Sequence, residues 1–263
     1  MAIIMAKRSK IAVVEIHGTI GASVKSSEME KILGRVRQDR SFRALVLDID
    51  SGGGSASPSD YIYRAAKRIA GRKPVVACIR GVGASGAYMI ACAAHRIVAA
   101  PGAIVGSIGV ISVRPALEQL LERAGIGVNV NKSGKFKDLG APWREITPEE
   151  NEKIQELIDD SYDAFVEIVS ESRDLDAERV KELATGEVYL APRGLEAGLV
   201  DELGDLDRAL ELAAEAAGIP KRPVYLRPPR GLRARLLGPV ADTLVESVAE
   251  QIERRLMQGR YGL

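Results

Sequence analysis

The chain has 263 residues, 46% of them hydrophobic and 28% charged, with a net charge of +1. That length fits one large domain or one domain with an extension. The near-neutral balance, with no basic arm interleaved with aromatics, excludes nucleic acid as the expected partner. Two cysteines, Cys78 and Cys92, sit in apolar runs with no CxxC. They read as buried thiols rather than as a disulfide framework.

In chain order, Ile11–Ile16 reads as a buried strand. Ser27-Glu28-Met29-Glu30 has the pattern of a capping box opening a helix to about Gln38. Ala44–Ile49 reads as a second strand, ending in Asp50-Ser51-Gly52-Gly53-Gly54. Pro58–Ala70 reads as a helix and Pro74–Ile79 as a third strand. A tight turn is expected over Gly81–Gly86, then a short helix over Ala87–Ala94. Extended pieces follow at Arg96–Ala99 and Ala103–Ser112, then a helix at Pro115–Ala124 and a strand at Val128–Asn131. Alternation of strand and helix implies a parallel sheet with crossover helices, an α/β fold. Ligand sites in such sheets lie beyond the carboxyl ends of the strands. The two glycine-rich stretches fall there.

From Thr147 the character changes. Thr147-Pro148-Glu149-Glu150 starts a helix with a cap, an early proline and acids near the positive end of the dipole. That helix is expected to reach about Arg173, with shorter helices at Ala177–Leu183, Pro192–Ala197 and Asp205–Ala217. Pro223, Pro228 and Pro229 mark a boundary, which divides the chain into 1–222 and a C-terminal extension, 223–263. In the extension, Leu237, Leu244, Val248, Ile252 and Leu256 line one face of an amphipathic helix. No stretch is long and apolar enough to span a bilayer, and the first ten residues lack a secretory signal.

Gly81-Val82-Gly83-Ala84-Ser85-Gly86-Ala87-Tyr88 follows a strand and opens a helix. A serine there has its hydroxyl open to a cleft and backbone N–H groups nearby to stabilise an oxyanion. The same fragment also fits a plain helix cap. A Ser-His-Asp triad is disfavoured, because His17 precedes Ser85 and His95 lies at the end of the helix that Ser85 opens. Lysine is the usual substitute base. Its amine titrates near ~10.4 in water, and lowering it by about 2–3 units costs roughly 3–4 kcal/mol. Such a lysine belongs in a partly apolar pocket beside hydroxyl partners, not beside carboxylates. Composition alone does not select it. Ser133-Gly134-Lys135 fails as a phosphate loop, and Asp48-Ile49-Asp50 lacks a histidine to complete a metal site.

Seven motifs in order resemble the signal peptide peptidase A (protease IV) family of S49-type serine peptidases. They are KIAVVEIHGTI at Lys10–Ile20, DSGGG at Asp50–Gly54, GASGAY at Gly83–Tyr88, GSIGVI at Gly106–Ile111, KSGKFKD at Lys132–Asp138, WREIT at Trp143–Thr147 and LVDELG at Leu199–Gly204. The resemblance implies a crotonase-like fold related to the caseinolytic protease subunit. It implies Ser85 as nucleophile, Lys137 as general base and Ser107 as the hydroxyl that orients the lysine. Gly54 and Gly86 would donate to the oxyanion, with Gly53 beside them. Here Ala87 stands for the motif's second glycine and Gly52 for its proline. No metal or cofactor is implied. The implied substrates are apolar peptides such as leftover signal peptides. A homo-oligomeric ring is implied, whose short members join serine and lysine across protomers. Members usually carry an N-terminal membrane anchor, which implies membrane association; no anchor is visible in this chain, so a soluble, cytoplasmic protein is the alternative expectation. The competing readings are an acyl-CoA hydratase or isomerase on the same scaffold, which needs a carboxylate at the site, and a catalytically silent scaffold that binds membrane proteins. The arginine-bearing 231–263 tail reads as a packed helix or as a cover for the membrane surface or the site.

Overall fold

The computed structural model describes Ser9–Arg227. The expected amphipathic helix of the extension lies outside those residues. The elements run β1 (Lys10–His17), α1 (Ser26–Gln38), β2 (Phe42–Ser51), α2 (Ala56–Ala70), β3 (Val75–Ala84), α3 (Gly86–Ala91), β4 (Arg96–Ala99) and β5 (Ile104–Gly106). Then come α4 (Glu118–Arg123), α5 (Pro148–Arg173), α6 (Ala177–Leu183), β6 (Val188–Leu190), α7 (Ala191–Glu196), β7 (Glu202–Leu203), α8 (Leu206–Ala217) and β8 (Pro223–Leu226).

The strands form one sheet in the order β6-β5-β3-β2-β1-β8, with β4 paired to β3 and to β7. Every pairing is parallel except β5 with β6. Alternation on the strands explains the two-sided burial. Ala12, Val14, Leu45, Leu47, Ala77 and Ile79 face α1, α2, α3 and α5 in the larger core. Ile11, Val13, Ala44, Val46, Val76 and Cys78 face Ala209, Leu210 and Ala213 of α8. Both thiols are buried. The acids of β2 are engaged locally. Asp48 receives a bidentate pair of bonds from Arg80 at 2.6 and 2.8 Å, and Asp50 accepts from the Val82 N–H at 3.0 Å.

Four local expectations need correction. α1 begins at Ser26 after an extended Lys25, so Ser27 lies inside the first turn and caps nothing. Buried Val24, whose carbonyl accepts from Gly21, fixes that earlier entry. Gly81–Ala84 is strand, not turn, because Val82, Gly83 and Ala84 pair with β5. Its glycines mark close approach: a Cβ on Gly81 would lie 2.9 Å from Asp50 Oδ1, and one on Gly83 would lie 2.7 Å from Ile79 Cδ1. The expected strand at Val128–Asn131 finds no partner strand, and Val128 and Val130 stay exposed. Of the extended piece at Ala103–Ser112, only Ile104–Gly106 enters the sheet.

The capping box at Thr147 forms. Thr147 Oγ1 accepts from the Glu150 N–H at 3.2 Å, and Glu150 Oε2 accepts from the Thr147 N–H at 3.0 Å. It opens the 26-residue α5, whose Phe165, Val166 and Val169 enter the larger core. Pro223–Leu226 lies inside the sheet, against β1.

Candidate active site

β3 delivers Ser85 at its carboxyl end, where the chain turns sharply into α3. Ser85 adopts φ 53° and ψ −128°, a conformation that side chains rarely hold. It is fixed from both directions. Its N–H donates to Gly106 O at 2.8 Å, and its carbonyl accepts from the Met89 N–H at 3.0 Å. Its side chain caps nothing, so a pure capping role is not what the geometry shows. Three residues on, buried Tyr88 donates its hydroxyl to Leu199 O at 2.8 Å and pins α3 from below. Arg173 reinforces that floor with bonds to Gly198 O and, bidentate, to Asp201.

The glycine loop after β2 closes against this turn. Ser51 Oγ donates to Gly18 O at 2.6 Å and accepts from the Gly53 N–H at 3.1 Å. The Ile20 N–H donates to Gly53 O and the Ser55 N–H to Ile20 O, holding the loop on the segment after β1. Gly53 has φ 97°, and a Cβ there would lie 2.8 Å from Ser85 Cβ and 2.9 Å from the Gly86 nitrogen. Gly54 has φ 152°, and its own Cβ would collide with the Ile20 carbonyl. A Cβ built on Gly86 would lie 3.8 Å from the Gly54 nitrogen, so the two amides are neighbours beside the serine. Ser59, fully buried on α2, packs its Oγ against Gly86 and donates to Ser55 O at 2.9 Å.

A cleft of about 660 Å³ opens above this turn. Ser85, Gly86, Gly52 and Gly54 line it, together with Ser107. Ser107 is held at φ 49°, and its N–H donates to Glu187 O at 2.7 Å. Met89, Tyr162, Phe165, Ala184 and Ile111 give the cleft an apolar wall. Among the described residues that line it there is no aspartate or glutamate. Ser85, Ser107, Gly54 and Gly86 thus meet in one place, with Gly53 packed behind Ser85.

Lys137 does not join them within this chain. It is exposed on a turn whose Lys137 N–H donates to Gly134 O at 3.2 Å, and it is not a lining residue of the cleft. The segment that carries it, between β5 and α5, exposes Ile111, Val113, Leu120 and Ile126. An ionic cluster that the sequence did not reveal surrounds the turn. Lys132 Nζ donates to Asp138 Oδ1 at 2.6 Å and Arg144 Nε to Asp138 Oδ2 at 2.9 Å. The outer edge of the Arg144 guanidinium binds both oxygens of Glu150. Arg144 and then Lys132 hold the Asp138 carboxyl well below the ordinary range. Arg144, with the Thr147 N–H, draws Glu150 down to about 2. The signal was present in the adjacency of Lys137 and Asp138 and in the motif WREIT, but sequence gave no reason to connect them.

The model of peptidase family S49 matches residues 67–220. The chain belongs to peptidase family S49. It is a serine-type peptidase by that membership. A Synechocystis protein named "Putative protease slr0021" is 38% identical over 248 residues, covering 93% of this chain and 88% of that protein. The chloroplastic serine protease SPPA of Arabidopsis thaliana is 33% identical over 224 residues, covering 81% of this chain but only 33% of that protein. Among solved structures, the membrane-bound stomatin-specific protease 1510-N, as a lysine-to-alanine mutant in complex with a substrate peptide, superposes with a TM-score of 0.53. It is 18% identical, and the match covers 89% of this chain and 98% of that one, which establishes the shared fold. The expected α/β fold, crotonase-like and related to the caseinolytic protease subunit, is therefore the observed one. Among the described residues no helix is long and apolar enough to cross a membrane.

Proposed function

We propose that this S49 peptidase cleaves apolar peptides, signal-peptide remnants among them, with a Ser85–Lys137 dyad. The observation that carries the reading is Ser85 itself. A non-glycine residue is held at positive φ at a strand-to-helix turn, its hydroxyl spared from capping, beside two amides and a second constrained serine. Strain of this kind persists where the surrounding structure enforces it for a purpose.

In the proposed reaction neutral Lys137 takes the proton from Ser85 Oγ, and Oγ attacks the scissile carbonyl. The Gly54 and Gly86 N–H groups receive the developing oxyanion. Lys137 then protonates the leaving amine, and water frees the acyl group. Ser107 orients the lysine. The apolar wall of Met89, Tyr162 and Phe165 supports small apolar side chains beside the cut. Lys137 enters from a neighbouring subunit of a homo-oligomer, a reading supported by its position outside its own chain's cleft and by the apolar side chains exposed along its segment. The protein works at a membrane surface, where such peptides remain. An acyl-CoA hydratase would need a carboxylate, and among the described residues none lines the cleft.

The test is cleavage of casein and of an apolar signal-like peptide by wild type, Ser85→Ala and Lys137→Ala. Both variants are expected to be inactive alone and partly active when mixed, because a mixed assembly restores some complete sites. Full activity in Ser85→Ala would sink the reading.

A further inference from the structure

A general-base lysine must spend part of its time neutral. Lys137 has Asp138 as its chain neighbour, and a free carboxylate within ~4–6 Å would stabilise the ammonium and disable the base. The fold removes that carboxylate. Asp138 Oδ1 is taken by Lys132 at 2.6 Å and Oδ2 by Arg144 at 2.9 Å, and the Asp138 side chain is only 9% exposed. Arg144 also donates from Nη2 to Asp138 O at 3.3 Å. Its far side grips Glu150, the residue that closes the capping box of α5. Arg114 Nη1 donates to Ala141 O at 2.8 Å and to Arg144 O at 3.2 Å, fixing the backbone between turn and helix.

The charges of this cluster balance. Lys132 and Arg144 face Asp138 and Glu150, and Lys135 is paired with Glu149. The remaining charged side chain of the 141–147 segment is exposed Glu145. The turn is thus bound to the start of a 26-residue helix through the Arg144 guanidinium and the exposed Lys135–Glu149 pair, with its own carboxylate consumed.

We propose that Arg144 and Lys132 are positioning residues for Lys137: they anchor its turn to the amino end of α5 and occupy Asp138, which keeps the Lys137 amine free to act as a base. This rests on the dyad reading above. The WREIT motif then supplies one unit, in which Arg144 bridges and Thr147 caps.

The experiment is the pH profile of kcat/KM on the apolar peptide. Lys132→Met takes the ammonium partner from Asp138 Oδ1 and leaves that carboxylate less compensated next in the chain to Lys137. A base favoured in its charged form needs higher pH to lose its proton, so the acid-side midpoint is expected to rise by about 0.5–1 unit. Below the midpoint that is a loss of roughly 3- to 10-fold, recovered as pH climbs. Arg144→Met is expected to shift the midpoint the same way and to lower kcat at the plateau, with KM little changed. Asp138→Asn added to Lys132→Met removes the freed carboxylate and should return the midpoint to its original position. A lower plateau with an unmoved midpoint in Lys132→Met would overturn the proposal, as would a midpoint that Asp138→Asn fails to restore. If Arg144→Met does not fold, the Lys132 and Asp138 variants still decide. Lys137→Ala run in parallel separates the two ideas. Activity there removes the dyad itself, whereas an inactive Lys137→Ala with an unmoved Lys132→Met midpoint removes only the positioning role.

Discussion

Replacing Ser85 by glycine should stabilise the folded chain while destroying its activity, and replacing it by alanine should not stabilise it. At φ 53° and ψ −128° any residue with a Cβ is strained, at a cost of about 1–3 kcal/mol. Glycine escapes that cost but brings a more flexible unfolded chain, which returns roughly 0.4–1 kcal/mol. Little else changes, because the Ser85 side chain makes no capping bond. The net expectation is that Ser85→Gly exceeds Ser85→Ala by about 0.5–2 kcal/mol, where an ordinary site would favour alanine. In a body of this size that is about 1–8 °C in Tm. Both variants lack the proposed nucleophile, so self-digestion should not distort the comparison. The assay is urea unfolding followed by far-UV circular dichroism, at one fixed protein concentration since oligomers unfold in a concentration-dependent way. Alanine matching or exceeding glycine would refute the claim that the turn stores strain at Ser85.

Three other outcomes are expected. Burial pushes the Cys78 thiol up to about 12, with Asp48 adding to it, and burial pushes Cys92 up to about 11. Their folded values lie above the unfolded one, so the neutral-thiol contribution is intact below about pH 8.5 and is lost as pH rises through 11 to 12; for Cys78 it is on the order of 4 kcal/mol. Stability measured from pH 8 to 11 should fall less steeply in Cys78→Ala than in wild type, and iodoacetamide should reach neither thiol before unfolding. Arg173→Met should cost about 3–5 kcal/mol by stranding the half-buried Asp201, and Arg173→Met with Asp201→Leu should recover part of it in the same urea assay. Gly53→Ala should reduce kcat at least ~10-fold, because its Cβ needs the 2.8 Å of space that Ser85 Cβ occupies and any relief moves the nucleophile. Unchanged kcat there would mean that the loop yields without disturbing Ser85.

How much of this could be read in advance depends on the range of the forces involved. β1 and β2 were legible as short apolar runs that are buried almost throughout, and α5 from the cap, proline and acids at its start, with Met29, Leu33 and Val36 showing helical spacing on α1. Errors arose where a distant partner decides. Gly81–Ala84 looks like a turn because glycine usually signals one, yet pairing to β5 makes it strand and the glycines only clear Asp50 and Ile79. Val128–Asn131 has β-forming residues but no neighbour to bond, and propensity without a partner does not make a strand. Pro223 reads as a boundary, and in the structure it opens the edge strand β8, a tolerated position for proline.

The site divides in the same way. Ser85 stands out in its strand-to-helix fragment, and Gly53 and Gly54 by resemblance; each sits at a positive φ that a short motif can specify. Ser107 is legible by resemblance, and the structure adds that its backbone is constrained as tightly as that of Ser85. Lys137 differs in kind. Its surroundings are assembled from Lys132, Arg144, Glu150 and Thr147, spread over a segment with little regular structure. No periodicity encodes such a cluster; it is encoded by charge complementarity at separations of six residues and fewer, which surface ion pairs imitate freely. What distinguishes this cluster is the near-complete burial of both carboxylates, 9% exposed for Asp138 and 4% for Glu150, because burying two acids is costly unless their partners are fixed. A chain that leaves apolar side chains exposed on this segment while burying acids beside Lys137 has put its order where the lysine is held. That is the arrangement the proposed dyad calls for, in which Lys137 would reach a neighbour's cleft already oriented and without a counter-ion.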